Sequence, residues 1–318
     1  MRRQPAALAV LVGATLASAA CGSSTPARPA PGQPDKVAAG VIAIVDVAPV
    51  YLGKQKGFFS KRNIDLSLST SQGGAAIVPG VLNKQFQIGF SNVTSLLIAA
   101  SKGFPVKVVC NGVASTGDAK DYSGVVVKAG SPVHSAADLA GRTVAVNTLK
   151  NIGDTTVRAS VRKAGGDPKA VKFVELAFPD MPAALDAGRV DAIWVVEPFL
   201  TAATATGGRV VAANYTDAAP NLTVATYFTS VELTKSNRDL VKRFTEAMNE
   251  SLRYADAHPD EVRQVLTTYT QIKPDVAAKI ALPKWPTDIN RQSVQTLADL
   301  AVGDGLMPKA PDLSALLP

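Results

Sequence analysis

"ALDAGRVDAIWVVEPF", residues 184–199, contains the pattern from which the architecture follows. A helical tail stops at Gly188, a turn carrying Arg189 and Asp191 comes next, and five apolar residues run from Ala192 to Val196. A short apolar run without polar alternation, bounded by turn residues, reads as a strand buried on both faces, as in a parallel sheet covered by helices. The run ends at Glu197-Pro198. Residues just past such a strand lie at its carboxyl end, where open α/β sheets hold their ligands. Glu197 is therefore either a ligand contact or the brace of a turn that Pro198 stiffens.

The same pattern occurs earlier. "VLNKQFQIGFSN" (81–92) aligns without gaps on "LDAGRVDAIWVV" (185–196), each a helix tail, a polar turn and a buried strand. Around these two segments strands and helices alternate. The first half reads as a strand in 40–49, a helix in 50–62, a strand in 64–69, a helix in 73–85, a strand in 87–92, a helix in 93–103 and a strand in 106–115. After the crossover at 123–142 the alternation resumes with strands at 143–147, 171–176, 191–198 and 209–214, helices at 153–167 and 181–189, and 199–208 joining the last two strands. From Lys235 nearly everything is helical: 237–258, 259–271, 274–283 and 291–305. Two α/β units and a helical tail make a two-lobed protein with a cleft. Asn63 suits a left-handed turn, which Asn tolerates.

The amino terminus, "MRRQPAALAVLVGATLASAAC", has two arginines, an apolar core and small residues before Cys21. The core is too short to span a bilayer and reads as an export signal over residues 1–20. Two cuts are open: after Ala17-Ser18-Ala19, or at Cys21 as a lipidated N-terminus. The second is favoured, although Ser18 stands where bacterial lipoproteins usually carry an aliphatic residue. The Pro/Ser/Gly-rich segment 21–36 then serves as a tether. The chain carries 33 Lys and Arg against 26 Asp and Glu, scattered rather than clustered, which gives no footprint for nucleic acid. Once Cys21 is lipidated or removed, Cys110 is left alone, so no disulfide framework is expected. In "VKVVC" it reads as core. His134 and His258 sit in no ligand-spaced cluster, so neither a metal nor a cofactor is expected.

The polar residues at strand ends would face the cleft: Asp46, Ser71, Ser91, Asn92, Asn147 and Glu197. Gly73-Gly74 opens a helix with no side chains, either to offer backbone N–H groups to an anionic or carbonyl oxygen or to permit a tight turn. Asn147 either faces the ligand or caps the helix that follows it. Lys150 is either a charge at the site or an exposed lysine. Tyr51 either stacks on a ligand or packs on its lobe, while Trp194 belongs to the core. With two acids in the cleft, a solute bearing both donors and acceptors fits better than a small bare anion.

"APVYLGKQKGFFSKRNIDLSL" (48–68), "GGAAIVPGVLNKQFQIGF" (73–90), "DLAGRTVAVN" (138–147), "KAGGDP" (163–168) and "MPAALDAGRVDAIWVVEPF" (181–199) resemble the ABC-transporter solute-binding proteins of the nitrate/sulfonate/taurine and thiamine-precursor (SsuA/THI5-like, NMT1-like) family. Two departures stand out: Asn63 replaces the usual glycine, and Lys84 to Gln87 occupy positions where Gly and Asp are common. The resemblance implies an α/β, type II periplasmic binding protein whose chain returns to the first lobe at "TVATYFTS" (223–230). Lobe 1 is expected at 37–126 plus 224–318, and lobe 2 at 127–223. It implies a monomeric importer receptor that takes a small organic solute (a sulfonate, an aromatic or other carboxylate, or a pyrimidine or vitamin precursor). The partners would be a permease and an ATPase, with anchoring to the outer face of the cytoplasmic membrane, or release into the periplasm. The expected ligand-binding residues are Asp46, Tyr51, Gly73, Gly74, Ser91, Asn92, Asn147 and Glu197. The competing reading is an enzyme or sensor of the same fold acting on a small heterocycle or sulfur compound. No G-x-S-x-G elbow, H-E-x-x-H pair or phosphate loop supports catalysis, and "VDVAPVY" (45–51) lacks the cysteine used by a carbon–sulfur-cleaving relative of the fold.

Overall fold

The computed structural model describes residues 33–318; the export signal, Cys21 and most of the tether lie outside them. The chain begins with β1 (Asp35–Val41), α1 (Ala48–Gln55), β2 (Ile64–Thr70), α2 (Gly74–Leu82), β3 (Ile88–Asn92), α3 (Val93–Ser101) and β4 (Val106–Ala114). It continues through β5 (Ser123–Val127), β6 (Thr143–Val146), α4 (Ile152–Lys163), β7 (Lys172–Glu175), α5 (Met181–Asp186), β8 (Ala192–Val196), α6 (Phe199–Ala205), β9 (Arg209–Ala212) and α7 (Asn214–Ala218). The last part is β10 (Thr223–Ser230) followed by α8 (Val231–Ser236), α9 (Arg238–Ala257), α10 (Pro259–Leu266), α11 (Pro274–Ala277), α12 (Arg291–Gly303) and α13 (Leu313–Leu316).

Among the described residues ten strands form two sheets of the same design, ordered β2-β1-β3-β10-β4 and β7-β6-β8-β5-β9. In each, three parallel strands are followed by one antiparallel strand, β10 beside β3 and β5 beside β8. The return strand read from 223–230 has those bounds. The gap-free alignment of 81–92 on 185–196 sets β3 on β8 residue for residue, because a one-residue slip would turn every side chain to the other face. It also sets Lys84, at φ 63, on Gly188, at φ 69. The first sheet thus makes with a lysine the left-handed turn that the second makes with a glycine. Asn63, at φ 56, adopts the left-handed conformation expected of it.

The apolar run 192–196 is buried throughout. Trp194 belongs to the core, its Nε1 donating to Ser123 Oγ at 3.0 Å, and Cys110 is buried in β4, where desolvation pushes its thiol pKa up. Helix α9 turns Leu240, Phe244, Ala247, Met248, Ser251 and Leu252 inward at helical spacing.

Several expected elements shift. The strand read at 40–49 is β1 at Asp35–Val41, so the tether read as 21–36 gives way to sheet by Asp35. Val45–Val47 is a 3₁₀ turn that leads into α1 with Pro49 in its first turn. Proline suits a helix start and cannot donate to a sheet; the run looked strand-like because it is buried on every side. The helix expected at 50–62 ends at Gln55, ahead of Gly57 at φ 76. Of 274–283 only Pro274–Ala277 is helical. The crossover 123–142 hides β5, which pairs in the second sheet, so the expected boundary at residue 127 falls inside a strand.

Candidate functional site

The carboxyl ends of the parallel strands in the two sheets meet along one seam. Asn147, just past β6, donates from Nδ2 to Gln72 O at 3.3 Å, in the turn between β2 and α2. Val45 N donates to Glu197 O at 3.1 Å. Tyr122, just ahead of β5, donates from its hydroxyl to Asp46 Oδ2 at 3.3 Å. At the far side Ser95 Oγ, on α3, bonds Asn151 Oδ1 at 3.0 Å, at the start of α4. Asp46, Gly73, Asn147 and Glu197 thereby come to one seam, although they are spread over 152 positions of the chain.

Helix α2 opens at the Gly73-Gly74 pair read from the sequence, and no side chain caps it. A Cβ on Gly73 would lie 2.9 Å from Thr148 Oγ1 and 3.2 Å from Asn147 Nδ2, so the helix terminus approaches the end of β6 as backbone alone. A Cβ on Gly74 would lie 2.8 Å from Ser91 Cα. That glycine lets α2 seat directly on β3, and Ser91 lies buried beneath it. Asn92 caps α3, accepting from Ser95 N at 2.8 Å. The cap of α4 is Asn151 rather than Asn147, accepting from Ile152 N; Asn147 is left free to reach across the seam. Lys150 is exposed, in a left-handed turn at φ 52.

Glu197 is buried, with both carboxylate oxygens engaged. Oε2 accepts from Thr201 N at 3.0 Å, and Oε1 accepts from Thr201 Oγ1 at 2.8 Å and from Ala281 N at 3.1 Å. It ties the end of β8 to the first turn of α6 and to the carboxyl-terminal segment, which is the geometry of a brace. Desolvation raises its pKa above the usual carboxylate value, and these three bonds work against the rise. The Glu197–Pro198 peptide is cis.

Asp46 is 2% exposed. Its Oδ2 has the Tyr122 hydroxyl, its main-chain oxygen accepts from Trp285 Nε1 at 3.2 Å, and its Oδ1 has no partner. Desolvation pushes its pKa up to about 7, with the Asp121 charge adding to the rise and hydrogen bonds from its own backbone and from Tyr122 opposing it. Tyr51 stacks on Tyr269 with centroids 3.9 Å apart, and the Tyr269 hydroxyl bonds Ile44 O at 2.9 Å. Tyr122, Tyr269, Trp285 and Asn151 join the seam without any signal in their local sequence, because their partners lie far along the chain. Two cavities, of about 400 Å³ beside Asn111 and Thr245 and about 280 Å³ beside Ser115 and Thr223, are lined by none of the expected site residues. Among the described residues no His, Cys, Asp and Glu side chains group to hold a metal, and no helix is long and apolar enough to cross a membrane.

The family described as NMT1/THI5 like matches residues 44–262. The chain belongs to that family. No curated protein matches the sequence. Among solved structures, the ligand-binding component of an ABC-type import system from Staphylococcus aureus, with zinc bound, has a TM-score of 0.77 at 15% identity, over 89% of this chain and 96% of that one. The alkanesulfonate-binding protein SsuA from Xanthomonas axonopodis pv. citri, bound to MOPS, has a TM-score of 0.74 at 18% identity, over 89% and 98%. The periplasmic nitrate-binding protein NrtA from Synechocystis PCC 6803 has a TM-score of 0.76 at 14% identity, over 89% and 86%. At such identities the likeness is one of fold: this NMT1/THI5-like chain has the periplasmic binding architecture, two mixed α/β sheets with surrounding helices.

Proposed function

We propose that this chain is the solute receptor of an ABC importer and closes two lobes on a small organic solute along the seam. The observation that carries the reading is the uncapped, side-chain-free start of α2 facing Asn147 and Thr148 across the two sheets. Unpaired N–H groups at a helix start carry partial positive charge and favour a carboxylate, sulfonate or carbonyl oxygen. Lobe 1 combines the first sheet with α8 to α13, lobe 2 is the second sheet with its helices, and the crossovers near 115–122 and 213–222 are the hinge. Asp121 steadies the first crossover, accepting from Thr116 N at 3.0 Å and Tyr122 N at 2.9 Å. Glu197 acts as the hinge brace, while Gly73, Asn147 and Asp46 are the ligand contacts.

Export by residues 1–20 and a lipid on Cys21 would hold this receptor beside its permease and ATPase as a monomer. The reading is tested by melting the mature protein with sulfonates, carboxylates and vitamin precursors. A ligand at a hundred times its Kd stabilises the native state by about 2.7 kcal/mol, a shift of several degrees in Tm. Steady chemical conversion of a bound solute would replace the receptor with an enzyme.

A further inference from the structure

Helix α4 of the second lobe is held against the first lobe at both of its ends. At its start Asn151 Oδ1 accepts from Ser95 Oγ of α3 at 3.0 Å. In its last turn Arg162 Nη2 donates to Asp304 Oδ1 at 2.7 Å, just past the end of α12. Between these points α4 packs on α3 and α12, and α12 itself packs on α3 and β10 of the first lobe. Among the described residues the other ion pairs each stay within one lobe, so Arg162–Asp304 is the one charge contact that spans both.

Asp304 is poorly placed for the lobe that carries it. Its side chain is 5% exposed, whereas that of Arg162 is 45% exposed. It stands at the C-cap of α12, where the helix dipole disfavours a negative charge. Its Oδ2 has no partner. Desolvation raises its pKa, and the influences that oppose the rise come from Arg162 and Arg158, both of α4. Burial thus outweighs the attraction of the arginines, so the pair does not hold the lobes together by charge alone. Its effect lies in what happens without it. The approach of α4 would then enclose a carboxylate that has neither a partner nor a counter-charge, which is the costly case for a buried ion.

We propose that Arg162 is a positioning residue for closure: by engaging Asp304 it lets α4 seat against α12, and so sets the balance between open and closed lobes for every solute alike. The inference rests on the receptor reading and adds to it a control point apart from Gly73, Asn147 and Asp46. Opening the lobes returns Asp304 to water, where it needs no protein partner. The two charges are therefore unequal in effect. Loss of Arg162 disfavours closure, whereas loss of the Asp304 charge removes the need for Arg162.

Hydrogen exchange of the empty mature chain tests this without any solute, because the Val45 amide donates across the seam to Glu197 O and is freed when the lobes part. Arg162→Met should speed exchange at Val45 about tenfold, while the Ala145 amide of β6, inside the second sheet, keeps its rate. Arg162→Lys, which retains a charge, should recover part of the protection. Asp304→Asn should stay within about twofold of the parent, and Asp304→Asn combined with Arg162→Met should return to that level. Unchanged exchange at Val45 in Arg162→Met overturns the inference, as does a parent chain whose Val45 amide exchanges as freely as an exposed one. A double variant as fast as Arg162→Met alone also overturns it, since Arg162 would then act without Asp304. Val45 and Ala145 speeding together would show a fold-wide loss of stability in place of lobe opening, and would overturn it as well. None of these results touches the receptor reading, which native mass spectrometry of the purified chain decides separately.

Discussion

At the residue scale, the two acids of the seam do different work although the sequence presents them alike. Glu197 is held by three protein donors, so its expected role is structural. Glu197→Gln exchanges one acceptor for a donor facing N–H groups and should lower stability by about 1–3 kcal/mol, with equal weakening for every solute; urea denaturation and titration of two unlike solutes check this. Asp46 differs because its pKa rises from 3.8 to about 7 on folding. The folded state then binds a proton that the unfolded state has released, and the stability this supplies is full below about 4 and lost as pH rises through 7. In Asp46→Asn that part of the pH dependence should vanish, which urea midpoints measured across the range will show. Glu197 could be found from sequence because a buried strand points at it. Tyr122, Tyr269 and Trp285 could not, since their partners are 76 to 239 positions away and no local pattern encodes such pairing.

At the element scale, the duplicated helix–turn–strand unit was legible because burial on both faces leaves an apolar run and one register. Its turn contains a test. Lys84 adopts the conformation that Gly188 adopts in the second sheet, and a left-handed residue with a Cβ is strained by about 1–2 kcal/mol. Lys84→Gly should therefore raise stability by about 1 kcal/mol or less, since glycine loosens the unfolded chain and the exposed Lys84–Glu232 pair is worth little; thermal melting decides it. Gly74→Val should do the reverse. Its side chain would drive α2 off β3 at Ser91, so the variant should lose folding stability as well as binding, by about 1–3 kcal/mol or more. What the sequence concealed were β5, inside a stretch read as crossover, and the turn 45–47, whose burial imitates a strand. In both cases the deciding contact is with a distant part of the chain: β8 and β9 for β5, Glu197 and Trp285 for the turn.

For the whole molecule, repetition of one sheet design places strand ends opposite strand ends, and the seam follows from that arrangement more than from any single residue. Anchoring belongs to this scale too. If Cys21 carries the lipid, Cys21→Ala should move the protein from the membrane fraction to the soluble one, as fractionation and immunoblotting will show; an unchanged distribution would remove the tether from the account. The central claim is capture of a small solute between two lobes without chemical change. Native mass spectrometry of the gently purified mature chain tests it most directly. The expected result is one small organic molecule per chain, released intact on denaturation and raising the melting temperature when added back. A chain that carries no such molecule and gains no stability from any candidate solute, or one that returns the molecule chemically altered, would contradict it.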